Sequence, residues 1–208
     1  MPWIQGYMHT MATIEGMKIH EEQLRLIKSS NLYNQLRVLR KCFVGRPYEN
    51  SKVEDRKGIL TYTHCSPNIR FFEGFTLNHL WSDCQRMKDD ALVWYIHTKG
   101  ASKPSQGALS WRYAMEAFVI QEWKRIIQLF ETQPELDCIG AHLPTDHRTF
   151  FAGNFWWARA RHIKSLPSPL VYALRSEWAV GTEIRFCYEQ WITSREGTKS
   201  YAPWPWTD

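Results

Sequence analysis

His97, Thr98, Lys99 and Gly100 stand together directly after the apolar run Leu92 to Ile96. An ammonium and an imidazole at such a point suit an anionic ligand. Lys99 supplies positive charge, and His97 is either a hydrogen-bond donor or a metal ligand near neutral pH. Gly100 has no Cβ, so the backbone there can turn tightly or approach a ligand closely. The same four residues would also make an ordinary strand-to-helix loop with a solvated lysine. A second group, His142, Asp146 and His147, collects two imidazoles and a carboxylate in one short stretch. That is donor chemistry for a divalent cation, but without a further spaced partner a solvated polar loop is the plainer reading. Glu122 falls by angle inside an apolar helical stripe, and a pair with a nearby arginine is expected in preference to catalysis.

Elements must carry these residues. Leu92 to Ile96 has no polar interruption, the pattern of a central strand covered on both faces. In open α/β sheets ligands collect just beyond the carboxyl ends of such strands. A first strand is expected within residues 1–11, running into a polar turn at His9 to Thr13, and a helix from Lys18 to Ser30 with Asn31 as its cap. Further strands are expected at Leu36 to Val44 and Ile59 to His64, with an exposed polar loop from Arg46 to Gly58 between them. Helical spacing predicts Thr76 to Met87, capped by Thr76, and Ser110 to Glu131, capped by Ser110. Leu136 to Ala141 reads as a short strand, and Phe150 to Arg161 as an aromatic strand interrupted at Gly153 and Asn154, where backbone would bulge or meet a ligand. The prolines of the tail preclude regular structure. The β-α-β order predicts a parallel sheet in a single α/β domain spanning 1–208.

Composition limits the function classes. The 208 residues carry a net charge of +5, with a pI near 9.0. That suits an anionic partner such as a phosphate, a nucleotide or a nucleic acid. Eleven tryptophans offer flat rings on which sugars or bases stack, although most are expected in the core. Five cysteines without CxxC spacing suggest neither a zinc module nor a disulfide framework, and point to a reducing compartment. No run is long and apolar enough for a membrane span and no signal peptide is evident, so a cytoplasmic location is expected. The phosphate-loop patterns GxxxxGK[ST] and GxGxxG are absent, which disfavours kinases, ATPases and dehydrogenases of those kinds.

Four blocks, in order, are more specific than any one of them: FEGFTLNHLW from Phe72 to Trp81, WYIHTKGAS from Trp94 to Ser102 with Trp111 and Arg112 beyond it, AGNFWWARARHIKSLP from Ala152 to Pro167, and YEQWI from Tyr188 to Ile192. Together they resemble the sugar-nucleotide-dependent glycosyltransferase domains of the GT-A fold found in bacterial glycan clusters and in large algal viruses, including a chlorella virus domain of capsid glycan synthesis. The resemblance implies one mixed sheet flanked by helices, a UDP-sugar donor, a glycan or glycoprotein acceptor, and a divalent cation, Mn²⁺ or Mg²⁺, as helper. It favours retention of anomeric configuration. It also implies that His9, Thr10, Thr13, Asn78, His97, Thr98 and Lys99 lie near the nucleotide. Asn154 and one ring of the Trp156 and Trp157 pair would hold the sugar, with Gly153 and Arg112 beside them and Glu189 for recognition or acceptor activation. One departure matters. Such enzymes usually carry Asp-x-Asp after the entering strand, whereas the triplet here is His97, Thr98 and Lys99. An ammonium at Lys99 would supply part of the charge that a metal otherwise brings to the leaving diphosphate.

Two other classes compete with this reading. A non-catalytic carbohydrate-binding module would share the aromatics but not the cationic turn. A nucleic-acid binder would concentrate its basic residues in a stripe, whereas here they are spread among 21 acidic residues.

Overall fold

In the computed structural model the described residues are 2–45, 58–69, 72–143, 150–176 and 184–205. They form an α/β unit around a seven-stranded mixed sheet. Strand β1 (Ile4–Met11) leads into helix α1 (Ile14–Ser29), and strands β2 (Leu36–Val44) and β3 (Leu60–Ser66) follow. Helix α2 (Gly74–Cys84) precedes strand β4 (Leu92–His97), and helix α3 (Gln106–Glu116) continues through a π turn at Ala117–Gln121 into helix α4 (Trp123–Thr132). Strands β5 (Cys138–Gly140), β6 (His142–Leu143) and β7 (Trp156–Arg159) come next, then helices α5 (Ala160–Ser165), α6 (Pro169–Arg175) and α7 (Ile184–Trp191), and the short strands β8 (Ser200–Tyr201) and β9 (Trp204–Pro205).

The sheet order is β3-β2-β1-β4-β7-β5-β8, and β7 runs antiparallel to both of its neighbours while the other pairings are parallel. The mixed, mostly parallel sheet flanked by helices is therefore as expected. One apolar layer packs Ile4, Met8, Leu39, Trp94 and Ile96 against α1, α3 and α4 through Leu24, Ile27, Met115, Trp123 and Phe130. The other packs Tyr7, Val93, Tyr95 and Trp156 against α2, α5 and α7 through Leu77, Leu80, Ile163, Tyr188 and Trp191. Alternate residues of β4 thus feed opposite layers, the consequence of a strand covered on both faces.

Several boundaries differ from expectation for local reasons. The first helix starts at Ile14 because the Thr13 side chain accepts from the Gly16 amide; Asn31 follows it in the left-handed region, at φ 67°. Thr76 does not cap α2 but lies inside it, and its hydroxyl bonds His9 Nδ1 at 2.8 Å. Ser105, not Ser110, caps α3. The single long helix expected from Ser110 is interrupted by the π turn, where Trp157 Nε1 donates to the Val119 carbonyl at 2.8 Å. Glu122 closes that turn and pairs with Arg125 at 2.9 Å, the arginine partner expected of it. The aromatic strand is only four residues long, and Gly153 and Asn154 form a turn ahead of it rather than a bulge within it. In the tail β9 pairs with β6, so its prolines do not prevent a short ladder. Most of the expected loop from Arg46 to Gly58 lies outside the described residues.

Candidate active site

Strands β1 and β4 are neighbours in register from Ile4↔Leu92 to His9↔His97. Their carboxyl ends therefore bring His9 and His97 side by side. A cleft of about 230 Å³ opens there, lined by His9, Glu73, His97, Thr98, Lys99, Gly100, Arg185 and Glu189 among others. It lies where ligands collect in such sheets.

Glu73 directly precedes α2 and Glu189 lies on α7, and one glycine lets those helices meet. A Cβ on Gly74 would lie 2.4 Å from the Tyr188 hydroxyl, so only glycine admits Tyr188 of α7 against the first turn of α2. The residues next to this contact in sequence are the two glutamates. Phe72, just before Glu73, holds φ 45°, a strained value for a bulky residue. Burial raises the Glu73 carboxyl to about 7, opposed by a hydrogen bond from Asn154, by Lys99, by Tyr95 and by Arg185. Burial also raises Glu189 to about 7, reinforced by the Glu73 charge and opposed by Lys99, Arg185 and the Gly153 backbone. Two carboxyls thus titrate near neutrality in a cleft that also holds three cationic side chains, Lys99, Lys103 and Arg185.

The imidazoles stay neutral. Burial lowers His97 to about 3, helped by Lys99, and lowers His9 to about 3, helped by His97. His97 Nε2 sits 2.8 Å from the Gly153 carbonyl, which makes that nitrogen the donor and leaves Nδ1 with its lone pair 3.5 Å from Glu73 Oε1. Gly153 and Asn154 hold φ 86° and 56°. This left-handed turn bonds His97 through the Gly153 carbonyl and Glu73 through the Asn154 side-chain amide. Asn154 also accepts from Trp156 Nε1 at 2.7 Å, so its amide is engaged at both ends.

The residues expected near a ligand separate accordingly. His9, His97, Thr98, Lys99 and Glu189 line the cleft. Thr98 Oγ1 accepts from the Met11 amide at 3.1 Å, and the Lys99 ammonium stands 5.3 Å from the centre of the Trp111 ring. Thr10 does not line it: it is fully buried, with its hydroxyl on His20 Nδ1 at 2.8 Å. Thr13 serves as the cap of α1, and Asn78 sits half-buried on α2 outside the cleft lining. Asn154 and Trp156, expected to hold the sugar, are fully buried, with the Trp156 indole on the Asn154 amide oxygen. Trp157 is equally buried, so the two rings do not divide between pocket and core. Arg112 lies in an adjoining pocket with Lys99 and Gly100. His142 packs its ring near Trp111 and Trp204, while Asp146 and His147 fall outside the described residues.

Sequence reasoning missed Glu73 and Arg185. Glu73 sits inside the first matching block, but a glutamate ahead of a helix ordinarily reads as a favourable charge at its N-terminus. A divalent cation finds a partial donor set: His97 Nδ1 and Glu73 face each other, with His97 Nε2 on a carbonyl as metal-bound histidines commonly are. Among the described residues no group of three His, Cys, Asp or Glu side chains assembles to hold one. Among the same residues no helix is long and apolar enough to cross a membrane.

An α/β chain with a cleft of carboxyl, imidazole and cationic side chains at the ends of its parallel strands is what fold and site define. The chain belongs to the family described as a domain of unknown function, DUF8361, whose model matches residues 6–206. No curated protein matches it. Solved structures similar to it include 4-diphosphocytidyl-2C-methyl-D-erythritol synthase from Anaerococcus prevotii, at 10% identity over 97% of this chain and 89% of that one, with a TM-score of 0.47. A protein from Desulfovibrio desulfuricans described as a nucleotide-diphospho-sugar transferase is 10% identical over 100% of this chain and 83% of that one, with a TM-score of 0.47. The 2-C-methyl-D-erythritol 4-phosphate cytidylyltransferase of Francisella tularensis is 8% identical over 96% and 89%, with a TM-score of 0.44. These likenesses are loose, and the chemistry rests on this chain's own residues.

Proposed function

We propose that this chain, as a single domain over 1–208, is a glycosyltransferase that moves a hexosyl group from a UDP-sugar to a hydroxyl of a glycan or glycoprotein. The observation that carries this reading is the cleft pairing of Glu73 and Glu189, both near 7, with Lys99 and Arg185 at the ends of β1 and β4. Transfer breaks the bond between the anomeric carbon and the diphosphate oxygen, and its electron pair leaves with UDP. Lys99 and Arg185 face that developing charge. The acceptor oxygen bonds to the anomeric carbon and gives its proton to Glu189, the more accessible carboxylate, which is about half ionised at neutral pH. Burial first, and then the Glu73 charge, holds Glu189 in that range, and Asn154 fixes Glu73. His9 and His97, both neutral, leave the cation role to Lys99 and Arg185.

The resemblance adds retention, with the acceptor oxygen entering on the face that UDP leaves, an acceptor in viral capsid glycan synthesis, and Mn²⁺ or Mg²⁺ as a helper. No step here is routed through a metal: at the cleft His97 and Glu73 face each other, and among the described residues no group of three His, Cys, Asp or Glu side chains assembles. Calorimetry against UDP-, GDP- and dTDP-sugars, with and without Mn²⁺, tests the reading. Selective binding of a UDP-sugar is expected. Binding of free sugars without UDP affinity would instead mark a carbohydrate-binding module.

A further inference from the structure

Of the five cysteines, Cys65 is partly exposed and the other four are buried. Strand β3 carries Cys65 at the edge of the sheet, beside Cys42 of β2. Cys42 stands opposite Thr63 in the parallel ladder, so Cys65, two residues on, faces the same layer. The register slips there, from Phe43↔His64 to Val44↔Ser66, and Cys65 is the residue left over. Helix α2 closes over this point. Thr76, His79 and Asp83 follow one another at helical spacing on its sheet-facing side: Thr76 bonds His9, Asp83 bonds Tyr7 and Arg40, and His79 bonds Cys65.

Two thiols and an imidazole thus meet in one place. The Cys42 thiol donates to Cys65 and lowers its pKa to about 5, helped by the His79 ring and the Phe43 backbone and opposed by burial. Cys65 in turn raises His79, with Asp83 on its side and burial and Arg40 against it. Cys42 is raised, first by the same bond to Cys65 and then by burial, and it accepts from the Thr76 hydroxyl. Cys84 and Cys138, by contrast, are raised by burial, as inert core thiols are. A partly exposed thiolate with a second thiol already bonded to it has the parts that reversible oxidation requires.

We propose that Cys42 and Cys65 are a peroxide-sensitive thiol pair, in which Cys65 is oxidised first and Cys42 closes a disulfide onto it. The Cys65 thiolate attacks one oxygen of hydrogen peroxide; an S–O bond forms, the O–O bond breaks, and the departing hydroxide takes a proton from His79 and leaves as water. The Cys42 sulfur then bonds to the Cys65 sulfur, and its proton leaves with the hydroxyl as a second water. Two thiols are oxidised and one peroxide is reduced. Among the described residues β3 has a ladder neighbour on one side only, so it can make the small shift that a disulfide's fixed geometry asks for. A transient bridge of this kind suits a reducing compartment. The pair does not rest on the transferase reading, although Thr76 sets it one hydroxyl away from His9 and the cleft wall.

The test is titration of the reduced native chain with hydrogen peroxide at mildly acidic pH, followed by acid quenching, thiol counting and peptide mapping. Two thiols should disappear together, with a linked Cys42–Cys65 peptide and full recovery on adding dithiothreitol. In Cys42→Ser, where a hydroxyl keeps a donor toward Cys65, a sulfenic acid should persist at Cys65 and be trapped by dimedone. In Cys42→Ala, which has no donor there, alkylation of Cys65 by iodoacetamide should slow by about tenfold. The wild-type mapping decides the pairing even where a Cys42 variant folds poorly. Oxidation beginning at another cysteine would overturn the proposal, as would a Cys65 sulfenic acid that persists in wild type with Cys42 free, or a folded Cys42→Ala alkylated at the wild-type rate.

Discussion

Glu73 and Glu189 are coupled, and the coupling has a sign. The Glu73 charge is one of the causes that raise Glu189 to about 7, so Glu73→Gln should let Glu189 fall toward the ordinary carboxylate range. The acid limb of the kcat/KM profile should therefore move to lower pH, and an unmoved limb would separate the two groups. Stability changes in step with titration. Glu73 has a folded value raised to about 7 from 4.5, so its contribution is fully present below 4.5 and is lost as pH rises through 7. The glutamine variant lacks that loss, and between pH 4.5 and 8 it should gain on wild type by on the order of 3 kcal/mol at most. Denaturant titrations at several pH values measure this directly. Lys99 and His97 were readable from their place after an apolar strand, and Glu189 from its block. Glu73 was not, because what makes it unusual is burial against residues far away in sequence: Asn154, Tyr95 and His97.

Among elements, the Gly153 and Asn154 turn holds the site together, since His97 and Glu73 both bond to it. Gly153→Ala would place a Cβ 2.4 Å from Met115 Sδ at φ 86°. Met115 is flexible, but the left-handed backbone alone costs about 1–2 kcal/mol for a residue with a Cβ. The expected outcome is a stability loss of roughly that size with turnover falling further than UDP affinity; full turnover would show that the turn does not position the site. The sequence marked this turn as an interruption but could not place it ahead of the strand, since a run of aromatics does not reveal where pairing starts. The π turn was hidden for a related reason. Residues three and four apart satisfy a helical stripe on either side of a one-residue insertion, and the Trp157 donor that occupies Val119 comes from a distant strand.

At the scale of the molecule, strands β2 and β4 declared themselves, and the candidate cleft lies at the carboxyl ends of β1 and β4, where ligands gather in parallel sheets. The antiparallel direction of β7 was not legible in its four residues, since alternation carries no direction. The central claim is that protein cations at those strand ends, rather than an Asp-x-Asp metal pair, meet the leaving diphosphate. Lys99→Met keeps length and packing while removing charge. Losing such a donor costs roughly 2.7 to 4 kcal/mol of transition-state stabilisation, so single-turnover cleavage of a UDP-sugar should slow by about 100-fold or more, with uridine binding unchanged. Cleavage at the wild-type rate, or full recovery of the variant on adding Mn²⁺, would contradict the account.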